Sequence, residues 1–235
     1  MTLRTFLGLG RNDAAREAWV KARLAALPAG SSLLDAGAGA GRYRRYCGHL
    51  RYTSQDFGQY DGVGDGKGLH SGTIDYAPID IVSDIAAIPV PDGSFDAVLC
   101  TEVLEHVPDP VRVIHELARI LRSGGKLILT APFASYTHIA PYFYATGFSR
   151  YWYEHHLAAA GLTIDELTSN GDWYDVLQQE VGRLPSLTRS RATRALIRPV
   201  ATAAMIALGV RRALGAPPTT SDLACFGWHC VATRR

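Results

Sequence analysis

Cysteine is scarce: four residues in 235, at positions 47, 100, 225 and 230. No pair has CxxC spacing and no Cys/His set has zinc-finger spacing, which excludes a disulfide scaffold and a small zinc module. Long apolar runs are missing too. No stretch reaches 18 residues, and mean hydropathy is near zero, so no membrane span is expected. The first ten residues lack the apolar core and cleavage site of a secretory signal. The expected compartment is therefore a reducing cytoplasm, with the thiols as small buried apolar groups. Charge of one sign is lacking as well: 24 Lys and Arg stand against 22 Asp and Glu, a net +2. That balance does not suit a polyanion, so no nucleic-acid partner is expected. Apolar residues at 47% and charged residues at 20% exclude a disordered chain, a collagen-like fibre and a coiled coil. Repeats and low-complexity tracts are absent. The chain is long enough to bury its own core, and it reads as a single domain over 1–235.

What is present is an alternation of strand and helix signals. Asn12 or Asp13 heads a helix with Ala15, Trp19, Ala22 and Ala26 near helical spacing, stopped by Pro28-Ala29-Gly30. Ser32-Leu33-Leu34-Asp35 reads as a strand ending in an acid. A glycine cluster at 37, 39 and 41 follows, then a helix candidate over 42–46. Further strands are expected at 51–57, 79–85, 95–101, 126–130, 162–167 and 223–233. Asp109-Pro110 starts a helix. Its inner face is Ile114, Leu117, Ala118 and Leu121, and Ser123-Gly124-Gly125 is its expected cap. Another helix is expected over 154–161. The order predicts an α/β fold, a doubly wound, Rossmann-like and mostly parallel sheet. Residues 58–78 form a Gly/Asp-rich loop long enough to suggest function. Segments 134–160 and 171–221 read as insertions capping an acceptor pocket.

The glycine spacing decides the type of site. A dinucleotide fold wants GxGxxG after its first strand. Here the pattern is GxGxG, with Asp35 two residues before Gly37. A carboxylate there would repel a diphosphate and suits an ammonium group. Asp56, at the end of the second strand, is placed to accept from ribose hydroxyls. Asp84, after the third, is placed to accept from an adenine amino group. An aminoacyl end, a ribose and an adenine together describe S-adenosylmethionine, which leaves as S-adenosylhomocysteine.

Four motifs then fall in order: Leu33-Leu34-Asp35-Ala36-Gly37-Ala38-Gly39-Ala40-Gly41; Asp84 with Ile88-Pro89 and Asp92-Gly93-Ser94-Phe95-Asp96; Glu102-Val103-Leu104-Glu105-His106-Val107; and Leu121-Arg122-Ser123-Gly124-Gly125-Lys126-Leu127. On these motifs the sequence resembles the class I S-adenosylmethionine-dependent methyltransferases, in the small-molecule, type 11-like branch. The resemblance covers roughly residues 12–170 and the last strand. It implies seven strands, the last antiparallel beside the fifth. It implies that Asp35, Gly37 and Gly39 line the methionine end, with Arg42 near the carboxylate. Asp56 would hold the ribose, with Asp61 a nearby rival, and Phe57 would lie on the adenine. Asp84 and Ile85 would meet the adenine edge, and Cys100, Thr101 and Glu102 would form the floor. Glu105-His106 would order the loop after the fourth strand. A looser similarity rests on Thr130-Ala131-Pro132-Phe133, His138, Pro141, Phe148, Arg150-Tyr151, Ala160-Gly161-Leu162 and Asn170-Gly171-Asp172-Trp173. It points to methyltransferases of polysaccharide and natural-product biosynthesis, hence to a sugar or other small polar acceptor.

Methyl transfer is an in-line displacement at a sulfonium and demands alignment and exclusion of water. Oxygen is the expected target atom. The expected mechanism uses no metal, and no ligand cluster shows in the spacing. A base is needed only where the nucleophile loses a proton. The acceptor belongs at the carboxyl ends of the strands, where His138, Tyr142, Tyr144, Arg150, Trp152, Asp172, Trp173 and Tyr174 are the candidates. His138 is the first choice for a base and His155 the second. Two other functions compete: an NAD(P)-dependent oxidoreductase, which the GxGxG spacing and Asp35 oppose, and a non-catalytic module with a filled site.

One segment stands apart. Residues 181–221 hold seven arginines, at 183, 189, 191, 194, 198, 211 and 212, and no acid. Arg191, Arg194 and Arg198 share one helical face, Leu196, Val200 and Ala203 another, and Pro199 is expected to kink or divide the helix. The apolar stretch 199–210 is too short to span a bilayer. Three roles suit it: a cap on the pocket, a dimer contact, or an element lying in an anionic membrane surface through 183–212.

Overall fold

The computed structural model describes residues 7, 8, 10–69, 75–215 and 218–235. The start of the chain and residues 70–74 of the long loop lie outside it. Helix α1 spans Arg11–Ala25. It is followed by β1 Ser32–Ala36, β2 Arg51–Asp56, β3 Ile81–Val82, β4 Phe95–Thr101, α2 Pro110–Ile120 and β5 Leu121–Pro132. Then come α3 Arg150–Ala159, β6 Leu162–Asn170, α4 Trp173–Leu187, α5 Arg191–Ala213 and β7 Gly227–Arg234. The seven strands form one sheet in the order β3-β2-β1-β4-β5-β7-β6. Strands β1 to β5 pair in parallel and β7 runs antiparallel to β5, as the resemblance implied. The chain clusters into two units. One is Ala18–Thr168 with Gly227–Arg235; the other is the residues to Glu17 with Ser169–Phe226.

In the sheet unit, Leu33, Leu34, Ala97, Val98, Leu99, Leu127, Ile128 and Leu129 are all buried. Adjacent positions point to opposite faces of a strand, so both faces are covered, as a parallel sheet requires. Val20 and Leu24 of α1 pack on Leu33, Leu99 and Ile128. All four cysteines are free and buried, as expected, and burial pushes the Cys47 and Cys230 thiols up to about 12.

Several elements differ from expectation. The helix after the glycines shrinks to one 3-10 turn, Arg44–Tyr46, because left-handed turns at Gly37, Gly39 and Gly41 use up most of the crossover. The third strand keeps two residues of seven. Ser123-Gly124-Gly125 caps nothing. The α2 helix, whose N-cap Asp109 accepts from the Arg112 amide, ends at Ile120, and these residues enter β5 through a register shift opposite Phe95 and Ala97.

The other unit carries α4 and α5. The α4 N-terminus closes with a capping box between Asp172 and Asp175. Gln178 donates to the Met205 carbonyl at 2.7 Å, and Arg211 lies over the Tyr174 ring. Helix α5 continues unbroken through Pro199. Its span Arg191–Arg212 is long and apolar enough, by length and composition, to cross a membrane, which the twelve-residue apolar stretch alone does not suggest. Met205 and Ala201 are buried, while Leu196, Val200, Ile206 and Val210 are 45–74% exposed. At 100° per residue these four fall within one third of the helix circumference.

Candidate functional site

Ligands of parallel sheets bind outside the carboxyl ends of the strands. There the sheet unit holds a cavity of about 550 Å³. Gly37 and Gly39 follow β1, Asp56 ends β2 with Phe57 just after it, Asp84 and Ile85 follow β3, and Glu102 follows β4; all seven line it. Four other cofactor candidates are not among its lining residues. Cys100 is fully buried in β4. Arg42 lies over the Tyr43 ring. Thr101 stays in β4, and Asp35 is turned away into the protein.

The glycines differ in purpose. Both have positive φ, +75° at Gly37 and +53° at Gly39. A Cβ on Gly37 would collide with the Val103 side chain, whereas one on Gly39 would meet nothing within 4 Å. The Gly37 and Ala38 amides donate to the Gln55 carbonyl at 2.8 and 2.9 Å, and the Gly39 amide donates to Asp56 Oδ2 at 2.9 Å. These N–H groups are therefore held by β2 and do not form a pyrophosphate cradle. Asp56 also accepts from Gly58 through Oδ1. Its rival Asp61 instead accepts from Val63 and Gly64 within its own turn and does not line the cavity.

Asp35 accepts from the Tyr52 hydroxyl at 2.7 Å and is 2% exposed. Burial raises its pKa to about 6, against the lowering effect of that hydrogen bond, and the charge of Asp56 adds to the rise. Burial thus penalises charge at this place, and Asp35 is fully ionised only above about pH 6.

Backbone strain collects at the cavity. Among the described residues, Glu102 (φ +54°) and Ile139 (φ +52°) are the two non-glycines with positive φ, and both line it. Such conformations cost roughly 1–3 kcal/mol each and gather at functional sites. Glu102 is tied down by Thr130, whose hydroxyl donates to Oε1 at 2.9 Å.

Aromatic residues form the far wall: Phe57, Tyr60, Tyr76, Tyr142 and Tyr144. Tyr60 and Tyr76, to which the sequence alone assigned no role, come from the 58–78 loop. The loop's glycines explain its course. A Cβ at Gly64 or Gly68 would strike the backbone of Ala140 or Thr137, so they let it lie flat on the segment that carries His138.

His138 does not stand alone. Its Nε2 is 4.0 Å from Glu105 Oε1, and His106 Nε2 is 3.7 Å from the same oxygen. His106, expected only to order its loop, lines the cavity. Burial lowers its pKa to about 4 against the raising effect of its bond to Tyr142, and His138 lowers it further; His106 is neutral at pH 7. The second base candidate, His155, is exposed on α3 beside His156 and is not brought to this cavity. Arg150 pairs with Glu154, and Trp152 packs between Phe148 and His156. Asp172, Trp173 and Tyr174 belong to the helical unit.

Residues 34–129 match the family model described as a methyltransferase domain. A ubiquinone biosynthesis O-methyltransferase of Xanthomonas axonopodis pv. citri (strain 306) is 41% identical over 116 residues, 48% of this chain and 46% of that protein. The chain thus spans about half the length of the curated relatives it matches. Among solved structures, the [4+2]-cyclase SpnF superposes with a TM-score of 0.57 at 21% identity, over 94% of this chain and 80% of that one. Phosphoethanolamine N-methyltransferase 2 of Haemonchus contortus, in complex with S-adenosyl-L-methionine, gives 0.53 at 15% identity, over 93% and 52%. At such identities these structures speak for the fold alone, and a cyclase among them shows that this fold hosts more than one chemistry.

Proposed function

Residues 34–129 match a methyltransferase domain, and from that premise we propose that the chain is a class I S-adenosylmethionine-dependent methyltransferase that moves a methyl group from S-adenosylmethionine to an oxygen of a small or glycan-linked acceptor. The observation that carries this reading is the cavity that gathers Gly37, Gly39, Asp56, Asp84 and Glu102 at the strand ends. In it, Asp56 takes the ribose, Asp84 and Ile85 take the adenine edge, and Phe57 lies on the ring. Gly39 lets the methionine end approach the backbone. Asp35 acts from beneath, as a negative charge on the ammonium. The relatives' name supports oxygen as the target atom. The aromatic wall keeps water out and faces the sulfonium with ring electrons. The displacement forms the O–C bond as the S–C bond breaks; its electron pair stays on sulfur, and the acceptor proton leaves.

The reading is tested with S-adenosylhomocysteine and NADH in parallel thermal-shift titrations. Stabilisation by the first and not the second is the expected result. At a hundredfold excess over Kd the stabilisation is about 2.7 kcal/mol. Stabilisation by NADH alone overturns the reading in favour of an oxidoreductase. Binding of neither points to the non-catalytic module.

Helix α5 carries a second proposal, on partner and place. Its exposed apolar stripe lies in a segment with seven arginines and no acid. We infer an anionic bilayer as its partner, since such a surface answers both the charge of the segment and its apolar face. The protein is accordingly read as cytoplasmic and peripheral to a membrane. Sedimentation with phosphatidylglycerol vesicles, lost with pure phosphatidylcholine vesicles and weakened by Leu196→Asp, is expected. A concentration-dependent dimer that ignores vesicles overturns it.

A further inference from the structure

The cluster of Glu105, His106 and His138 has a hydrogen-bond pattern that a base does not need. His106 Nδ1 is 2.6 Å from the Tyr142 carbonyl oxygen, and His138 Nδ1 is 2.8 Å from the Tyr136 carbonyl oxygen. A carbonyl only accepts, so in both rings Nδ1 carries the hydrogen. The lone pair of each neutral ring is then on Nε2. Both Nε2 atoms turn to one oxygen of a carboxylate that is 1% exposed. Their distances to it, 3.7 and 4.0 Å, are too long for hydrogen bonds. All three ligand atoms lie within 4.8 Å of one another. Ligands bound at about 2.0–2.1 Å around a tetrahedral ion are spaced at about 3.3 Å, so a modest contraction brings these atoms onto one cation.

The support behind the cluster is also of the kind a metal needs. Ligating histidines commonly give their other N–H to a carbonyl, which fixes tautomer and ring angle, and both rings do so here. The Glu105 carbonyl accepts from the Tyr144 and Ala145 amides at 2.9 and 3.2 Å. The Leu69 amide donates to Thr137 at 2.8 Å, which anchors the strip before His138. Three protein ligands from two segments, held by backbone on both sides, leave coordination positions open to a further ligand.

We infer that Glu105, His106 and His138 form a binding site for a first-row divalent cation such as Zn2+, Mn2+ or Co2+, bordering the cofactor cavity through His106. Two imidazoles and a carboxylate suit these ions, whereas an all-oxygen set would suit Mg2+. Resting on the methyltransferase reading, the cation binds the acceptor hydroxyl as a Lewis acid and makes it acidic near neutral pH. The hydroxyl proton passes to solvent. The oxygen lone pair then attacks the methyl group, and sulfur keeps the electrons of the broken bond. In this arrangement His138 is a ligand and not the base, and the expectation of a metal-free reaction is revised.

The test is made on the full chain after dialysis against EDTA. Cobalt titration is followed by visible absorption, with the bound metal counted by elemental analysis. One cobalt per chain is expected, with the d–d bands of a nitrogen–oxygen site and a rise in melting temperature. In His138→Ala, cobalt affinity should fall by more than the roughly 10–100-fold that losing an outer partner costs. His138 is partly exposed, so this variant should fold, and unchanged S-adenosylhomocysteine binding confirms that it has. Glu105→Gln, at a buried position, is judged only where its melting temperature shows a folded protein, and the same loss is expected. No stoichiometric cobalt, or cobalt binding unchanged in His138→Ala, overturns the site. Failure to bind S-adenosylhomocysteine sinks the methyltransferase reading and leaves the cobalt result standing by itself.

Discussion

Asp35→Asn is expected to strengthen the ligand-free protein and weaken its grip on the cofactor, each in a pH-dependent way. The Asp35 carboxyl has a folded pKa of about 6 against an ordinary 3.8, with burial the largest cause. A raised folded pKa means that the neutral form is favoured by folding. That contribution is complete below pH 4 and is lost as pH climbs through 6. Each tenfold change in proton affinity is worth about 1.36 kcal/mol, so the loss comes to about 3 kcal/mol in all. Asparagine stays neutral and still accepts from Tyr52. The melting temperatures of variant and parent should therefore diverge between pH 4 and pH 6 and stay apart above it. S-adenosylhomocysteine affinity should move the other way. In the parent it improves as pH rises through 6, because the ionised carboxylate attracts the ammonium; in the variant it is flat and roughly tenfold or more weaker at pH 7.5. Calorimetry across that range reads both. A melting difference that ignores pH would show that Asp35 is not the titrating group, and an unchanged affinity would remove it from the cofactor's surroundings.

Gly37→Ala and Gly39→Ala should separate folding from binding. At Gly37 the new methyl meets Val103 as well as a left-handed backbone. Crowding at about 1–3 kcal/mol adds to about 1–2 for the conformation. Against a typical total of about 5–15 kcal/mol, this variant should lose much of its soluble, cooperatively melting population. At Gly39 only the backbone cost applies, because the methyl meets no protein atom. It projects at the cavity lining instead, so Gly39→Ala should melt within a few degrees of the parent and bind S-adenosylhomocysteine at least roughly tenfold less tightly. Equal damage from the two variants in both assays would mean that the loop has no ligand side.

The sheet was legible in the sequence where local pattern and tertiary role agree. Strand β4 spans Phe95–Thr101, the stretch expected, because its apolar residues face a core on both sides. The third strand was misjudged because its fate is decided from a distance. Asp80 takes the Ser54 amide and hydroxyl, both at 2.8 Å. The β2 N–H that would continue the ladder is thus held by a side chain, and pairing begins only at Ile81. Of the candidate cofactor residues, those that closely follow β1, β2, β3 and β4 line the cavity, because the end of a strand fixes where the next residues lie. Asp35 was placed correctly in the chain but expected in the open cavity, since nothing local reveals that Tyr52 turns it inward. The cluster around Glu105 was invisible for a plainer reason: His138 lies on a different segment from Glu105 and His106, and only the folded loop brings it to them.

Strand β7 sits between β5 and β6 yet is synthesised after both. As the polypeptide leaves the ribosome, β5 therefore waits with one edge bare, and β6 has no neighbour to join. The interval is filled only when residues 227–234 emerge and insert in the opposite direction. A nascent chain stalled before that point would present an open strand edge to chaperones or to other chains, so a release assay on arrested ribosomes should show protease resistance appearing late and abruptly.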